Sequence, residues 1–168
     1  MIIVYTGNGK GKTTAALGMV FRALGRQQKV AMVQYIKGKW VTGEGLFARD
    51  LPGLSWDTMG EGFTWEKKDP DMDRRAAQAA WQRSMDLLRR NEHAIVVLDE
   101  FTYPVNYGFL DKEEVVRVLD ELPEGMTLVV TGRDCPEEIL QRADLVTEMK
   151  KVRHPFDAGK KAVIGVDY

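Results

Sequence analysis

Gly7-Asn8-Gly9-Lys10-Gly11-Lys12-Thr13-Thr14 carries the residue types and spacing of a phosphate cradle, directly after the apolar run Ile2-Ile3-Val4-Tyr5. Glycines let successive backbone N–H groups turn inward around phosphate oxygens. Lys12 adds a point charge, Thr13 offers a hydroxyl to Mg²⁺ or Mn²⁺, and the N-terminus of a following helix favours an anion. The strict pattern G-x-x-x-x-G-K-[ST] asks for glycine at position 6, where this chain has Thr6. Lys10 is a second cation in the loop, either touching phosphate or facing solvent.

Two further groups sit where such a loop needs them. Ala94-Ile95-Val96-Val97-Leu98-Asp99-Glu100 is a buried-strand run ending in two carboxylates. A carboxylate there holds Mg²⁺ directly or through water; the plainer alternative is a pair of capping or surface acids, and the loop favours the metal role. If the strand continues through both, Asp99 and Glu100 point to opposite faces and differ in role. Arg133 follows Thr131-Gly132 at the end of the next run, on the edge where open α/β sheets bind ligands. Spacing alone leaves it a phosphate ligand or a surface arginine.

Gly60-Glu61-Gly62-Phe63-Thr64-Trp65 places large rings on a glycine-flanked segment. Burying each ring is worth about 4–6 kcal/mol, so they are tucked into the core or wait for a flat partner. Trp40, in the same excursion, adds to the second reading. Lys150, Lys151, Arg153, His154, Lys160 and Lys161 form a basic segment that reads as a solvated face.

The elements that position these groups alternate regularly. Strands are predicted at 2–5, 30–35, 54–58, 94–98, 126–131 and 144–148, mostly as unbroken apolar runs suited to parallel strands covered on both faces. Helices are predicted at 13–25, ending at Gly25, and at 71–90, with Ala77, Ala80, Trp81, Ser84 and Leu88 inward. Another fits 111–121, with Asp111 as N-cap and Glu114 at the capping-box position, and a short one follows Pro136. Residues 36–72 read as a long, structureless excursion, a length usually tied to function or mobility. Strand–helix alternation with this loop gives an α/β fold: a three-layer P-loop NTPase (RecA-like) with a mostly parallel central sheet, 1–168 as a single domain.

Bulk properties narrow the chemistry. With 44% hydrophobic residues and net charge −1, bulk charge does not suit a nucleic-acid binder. No run approaches the roughly 18 apolar residues of a membrane span, and no signal peptide is read before the first strand. One cysteine, Cys135, and two histidines, His93 and His154, argue against a disulfide framework or a zinc centre. A cytoplasmic protein whose chemistry comes from bound ligands is expected.

Thr6–Thr14, Val33-Gln34-Tyr35-Ile36-Lys37-Gly38, Gly62-Phe63-Thr64-Trp65, Val97-Leu98-Asp99-Glu100, Thr131-Gly132-Arg133, the run 143–149 and His154-Pro155-Phe156-Asp157-Ala158-Gly159 together resemble the ATP:corrinoid adenosyltransferases of the cobalamin pathway. Thr6 belongs to that pattern. The resemblance implies attack of cobalt(I) of a reduced corrinoid on the 5′ carbon of ATP, releasing triphosphate, with the nucleotide reversed in the loop. It implies Gly7 to Thr14 and Arg133 as ATP ligands, with Lys12, Thr13 and Glu100 catalytic. Thr13, Asp99 and Glu100 serve the metal, and Phe63 and Trp65 lie against the corrin. It further implies a homodimer and a flavoprotein-type electron donor. The chain departs from many relatives in lacking an N-terminal extension and in having Gly45 where some carry arginine. A small P-loop kinase and a ParA-like switch are the competing readings. Arg74, Arg75, Arg83, Arg89 and Arg90 read as the polar side of a helix rather than a kinase lid. Gly7 stands where the ParA class has an extra lysine.

Overall fold

Six short apolar runs pair as one parallel sheet in the computed structural model, which describes residues 1–36, 41–59 and 70–167. The strands are β1 (Ile2–Thr6), β2 (Val30–Gln34), β3 (Leu54–Thr58), β4 (Ile95–Asp99), β5 (Thr127–Thr131) and β6 (Leu145–Glu148). The helices are α1 (Lys12–Leu24), α2 (Gly43–Ala48), α3 (Pro70–Arg90), α4 (Thr102–Asn106), α5 (Lys112–Asp120) and α6 (Glu137–Leu140), and a 3₁₀ turn covers Pro155–Ala158. Strand order is β3-β2-β4-β5-β1-β6, every pairing parallel. All C-terminal strand ends therefore share one edge.

The period-2 alternation of strands divides the core into two layers. Ile3, Val30, Met32, Val97 and Val129 face α1, where Ala16, Val20 and Ala23 meet them. Val4, Val33, Leu98, Leu128 and Val130 face the other way, onto Trp81, Met85 and Leu88 of α3 and Val115 and Leu119 of α5. The inward stripe predicted for α3 is borne out: Ala77, Ala80, Trp81, Ser84 and Leu88 are all buried.

This second layer also sets the site. Phe101, two residues past β4, is fully buried, stacked on Trp81 at 5.3 Å and edge-on to Tyr35 at 5.1 Å. The Tyr35 hydroxyl meets Ser84 Oγ at 2.7 Å, and Ser84 donates to the Ala80 carbonyl. An aromatic cluster so packed fixes the chain as it leaves β4.

Several expectations need correction. Residues 36–72 are not structureless: α2 forms inside them, its Thr42 Oγ1 accepting from Gly45 N at 3.2 Å. Gly43 and Gly45 have low helix propensity, which hid it. The five-residue α4 was also unread, because Pro104 reads as a breaker; in a first turn its missing N–H costs nothing. Asp111 caps α5 as predicted, accepting from Glu113 N at 2.9 Å, but the Glu114 carboxylate is used by Trp81 Nε1, also at 2.9 Å. The strand does not continue through Glu100: β4 ends at Asp99, and Glu100 takes φ 58°. Face alternation therefore does not separate the two acids.

Candidate active site

β1 delivers the glycine-rich loop to the shared edge, and β6 backs it. Gly9 N donates to the Met149 carbonyl, and Met149 N donates to Thr6 O at 2.7 Å. A Cβ on Gly9 would come within 2.6 Å of the Met149 carbonyl oxygen, so close contact restricts that position to glycine. Gly11, at φ 113°, turns the chain into α1, whose N-terminus opens onto the loop.

Thr6 explains the departure from the strict motif. Its side chain is buried, and Oγ1 accepts from Cys135 N at 3.3 Å, tying β1 to the turn after β5. A glycine there would lose that brace.

Lys12 is 93% buried at the helix start, where it donates to the carbonyls of Gly7 and Gly9, both at 2.9 Å. Burial lowers its pKa, opposed by the nearby Glu100 carboxylate. A three-donor ammonium so placed keeps one donor for a phosphate. Lys10 is exposed at the cavity, where its ammonium forms an ion pair with Asp167 and brings the C-terminal segment to the wall.

The ends of β4 and β5 form one hydrogen-bonded unit. Asp99 Oδ1 accepts from Thr131 Oγ1 at 2.7 Å and from Thr13 Oγ1 at 2.9 Å, while Gln34 Nε2 approaches Oδ2 at 3.4 Å. Thr131 Oγ1 in turn accepts from Glu100 N at 2.9 Å. Burial raises the Asp99 pKa, and these hydroxyls pull it partly back. Glu100 is pushed up to about 7, chiefly by burial and then by the Asp99 charge. Among the described residues its Oε2 is buried with no hydrogen-bond partner, so an oxygen acceptor faces inward unused.

A cavity of about 1100 Å³ joins these groups. Asn8 to Thr14, Asp99, Glu100 and Arg133 all line it, so the described structure brings every predicted nucleotide and metal residue except Gly7 to its wall. Gly7 contributes the carbonyl that orients Lys12. Phe63, Trp65 and Trp40 lie outside the described residues. Of the basic segment, His154 lines the cavity and Lys151 pairs with Asp157 at 3.0 Å.

Sequence reasoning missed five contributors. Thr131 was read as part of a strand run, though a hydroxyl closing a strand beside an acid-ended neighbour is a usable signal. Met149 acts through backbone and left none. Tyr103, Tyr107 and Phe109 line the cavity from the stretch after β4, where only the aromatic spacing could have marked them.

A parallel sheet with a phosphate-binding loop after β1 and a paired acid at the end of β4 defines a P-loop nucleotide-binding protein. The comparison with known proteins narrows this. The family described as ATP:corrinoid adenosyltransferase BtuR/CobO/CobP matches residues 1–168, and the chain belongs to that family. It is 47% identical over 171 residues to the corrinoid adenosyltransferase of Escherichia coli strain K12, covering 100% of this chain and 85% of that one. It is 46% identical to corrinoid adenosyltransferase CobA of Salmonella typhimurium with the same coverage. With the corrinoid adenosyltransferase of Pseudomonas aeruginosa it shares 44% identity over 100% and 83% of the two chains. The family's reaction is adenosyl transfer from ATP to a corrinoid.

Proposed function

We propose that this chain, acting as one domain over residues 1–168, transfers the 5′-deoxyadenosyl group of ATP to cobalt(I) of a reduced corrinoid and releases triphosphate. The observation that carries the reading is a phosphate cradle with the buried Asp99 and half-buried Glu100 carboxylates on the same cavity wall, in a chain of the adenosyltransferase family. The substrate's cobalt(I) supplies the electron pair that forms the cobalt–carbon bond, and the C5′–O bond breaks with its pair passing to triphosphate. No proton has to move. The demand on the protein is to hold a highly charged leaving group, which backbone N–H groups, Lys12 and Lys10 suit. Arg133 adds a cation at the cavity wall.

The donor set fits a hard divalent cation. Thr13 Oγ1, the Asp99 carboxylate and the unpartnered Glu100 Oε2 are all oxygens, and no described ion pair neutralises either acid. Those residues would hold Mg²⁺ or Mn²⁺, which when bound stabilises charge on the departing triphosphate. Asp99 would hold Thr13 in place, and Thr131 would hold Asp99.

Phe63 and Trp65 are assigned to the corrin on the family resemblance. A homodimer and a flavoprotein-type electron donor rest on the same ground, and sedimentation and reductase-coupled turnover test them. No described helix is long and apolar enough to cross a membrane, which is consistent with a cytoplasmic location. The activity is tested by incubating the protein with ATP, Mg²⁺ and chemically reduced cobinamide. A light-sensitive alkyl corrinoid with one triphosphate per cobalt is expected; stoichiometric ADP and phosphate without a cobalt–carbon bond would refute it.

A further inference from the structure

The stretch after β4 builds a wall that the phosphate chemistry does not use. Tyr103 and Tyr107 lie near-parallel at 6.3 Å, with 21° between planes, and Tyr107 and Phe109 at 5.7 Å and 26°. All three line the same cavity as the glycine-rich loop, and Tyr107 remains 48% exposed.

This wall is held in place. Tyr107 N donates to Tyr103 O at 2.9 Å, Phe109 N donates to Pro104 O at 2.9 Å, and Asn106 Nδ2 donates to Asp134 O at 2.9 Å. Arg74 of α3 lies over the Phe109 ring, 5.5 Å from its centre, and donates to the Gly108 carbonyl at 3.4 Å. A cavity of about 1100 Å³ also lies above the roughly 300–1,000 Å³ usual for one small molecule, so it has room for a second substrate.

We propose that Tyr103, Tyr107 and Phe109 form the face that receives the corrinoid macrocycle, and that they set corrinoid affinity independently of ATP affinity. Three rings stacked in a row make an apolar strip longer than one purine. Purine recognition also requires convergent polar groups, and in this cavity those stand elsewhere, at Gln34, Thr42 and Glu44. The phenol hydroxyls of Tyr103 and Tyr107 suit the amide-fringed rim of a corrin. The inference rests on the adenosyltransferase reading and assigns its second substrate to residues of this chain.

The test compares Tyr107→Ala, Phe109→Leu and Tyr107→Phe with the unaltered protein. It reads the KM for reduced cobinamide at saturating ATP and the Kd for ATP by calorimetry without corrinoid. For Tyr107→Ala the cobinamide KM should rise about tenfold, with ATP Kd unchanged within about twofold. Phe109→Leu should shift the cobinamide KM in the same direction, and Tyr107→Phe should restore most of the affinity. A weakened ATP Kd with unchanged cobinamide KM would make this an adenine wall and overturn the proposal. Equal loss of both, or loss of neither, would reduce the rings to loop packing and overturn it too. Failure of the unaltered protein to form a cobalt–carbon bond would instead defeat the activity itself, so the two failures are distinguishable.

Discussion

Where the cavity meets the glycine-rich loop, polar groups are buried and tied to one another: Lys12 to Gly7 and Gly9, Asp99 to Thr13 and Thr131. Where it meets the aromatic stretch, rings stand partly open and are braced by Arg74 and the backbone of α4. The difference matches what each part is proposed to bind. A triphosphate is a dense, small charge that needs pre-aimed dipoles, whereas a macrocycle needs area. Polar machinery tolerates little change in geometry, so perturbing the loop region should cost far more than perturbing the wall.

The largest effect is expected at Lys12. Lys12→Ala removes the cation that orients the loop and meets phosphate, and turnover should fall by about 10²–10³-fold, read under saturating ATP and corrinoid. Next comes Gly132, at φ 148°, where a Cβ would lie 2.0 Å from Thr102 Oγ1. Gly132→Ala should cost about 3 kcal/mol of stability by urea titration. A change below about 1 kcal/mol would mean the turn after β5 is softer than its contacts imply.

Glu100 supplies a pH test. Its folded-state pKa is raised to about 7 against an ordinary value of 4.5. The unfolded chain ionises first as pH rises, so stability is lost between about pH 4.5 and 7 and the loss is complete above that. Glu100→Gln should therefore stabilise the ligand-free protein by about 1–3 kcal/mol at pH 8 and leave it unchanged below pH 4. Denaturant midpoints at both pH values check it, and equal shifts would contradict the burial argument. The smallest effect belongs to Thr6→Ala, which should lose about 1 kcal/mol with the Cys135 brace while ATP affinity stays within about twofold.

The sheet was legible because its strands are continuous apolar runs, and every strand bound lies within a residue of the structure. Gly7 to Thr14, Asp99 and Glu100 were legible because phosphate and metal chemistry restricts residue type at fixed spacing. What failed to show was built from tertiary contact. The Thr131–Asp99 bond joins residues 32 positions apart, and Met149 supports Gly9 through a carbonyl that any residue carries. Likewise α2 is a six-residue helix with two glycines, capped by Thr42, which local propensity does not favour. The left-handed Glu100 needs Phe101 locked between Tyr35 and Trp81, a condition no local pattern states.

In the proposed reaction the carbon leaves ATP and the phosphates stay together. ATP carrying ¹³C at the 5′ position, incubated with the protein, Mg²⁺ and reduced cobinamide, tests it by combined ¹³C and ³¹P spectroscopy. The labelled carbon is expected on cobalt, with all three phosphorus atoms in a single triphosphate. Labelled carbon retained in ADP or AMP, with the corrinoid unalkylated, would contradict it.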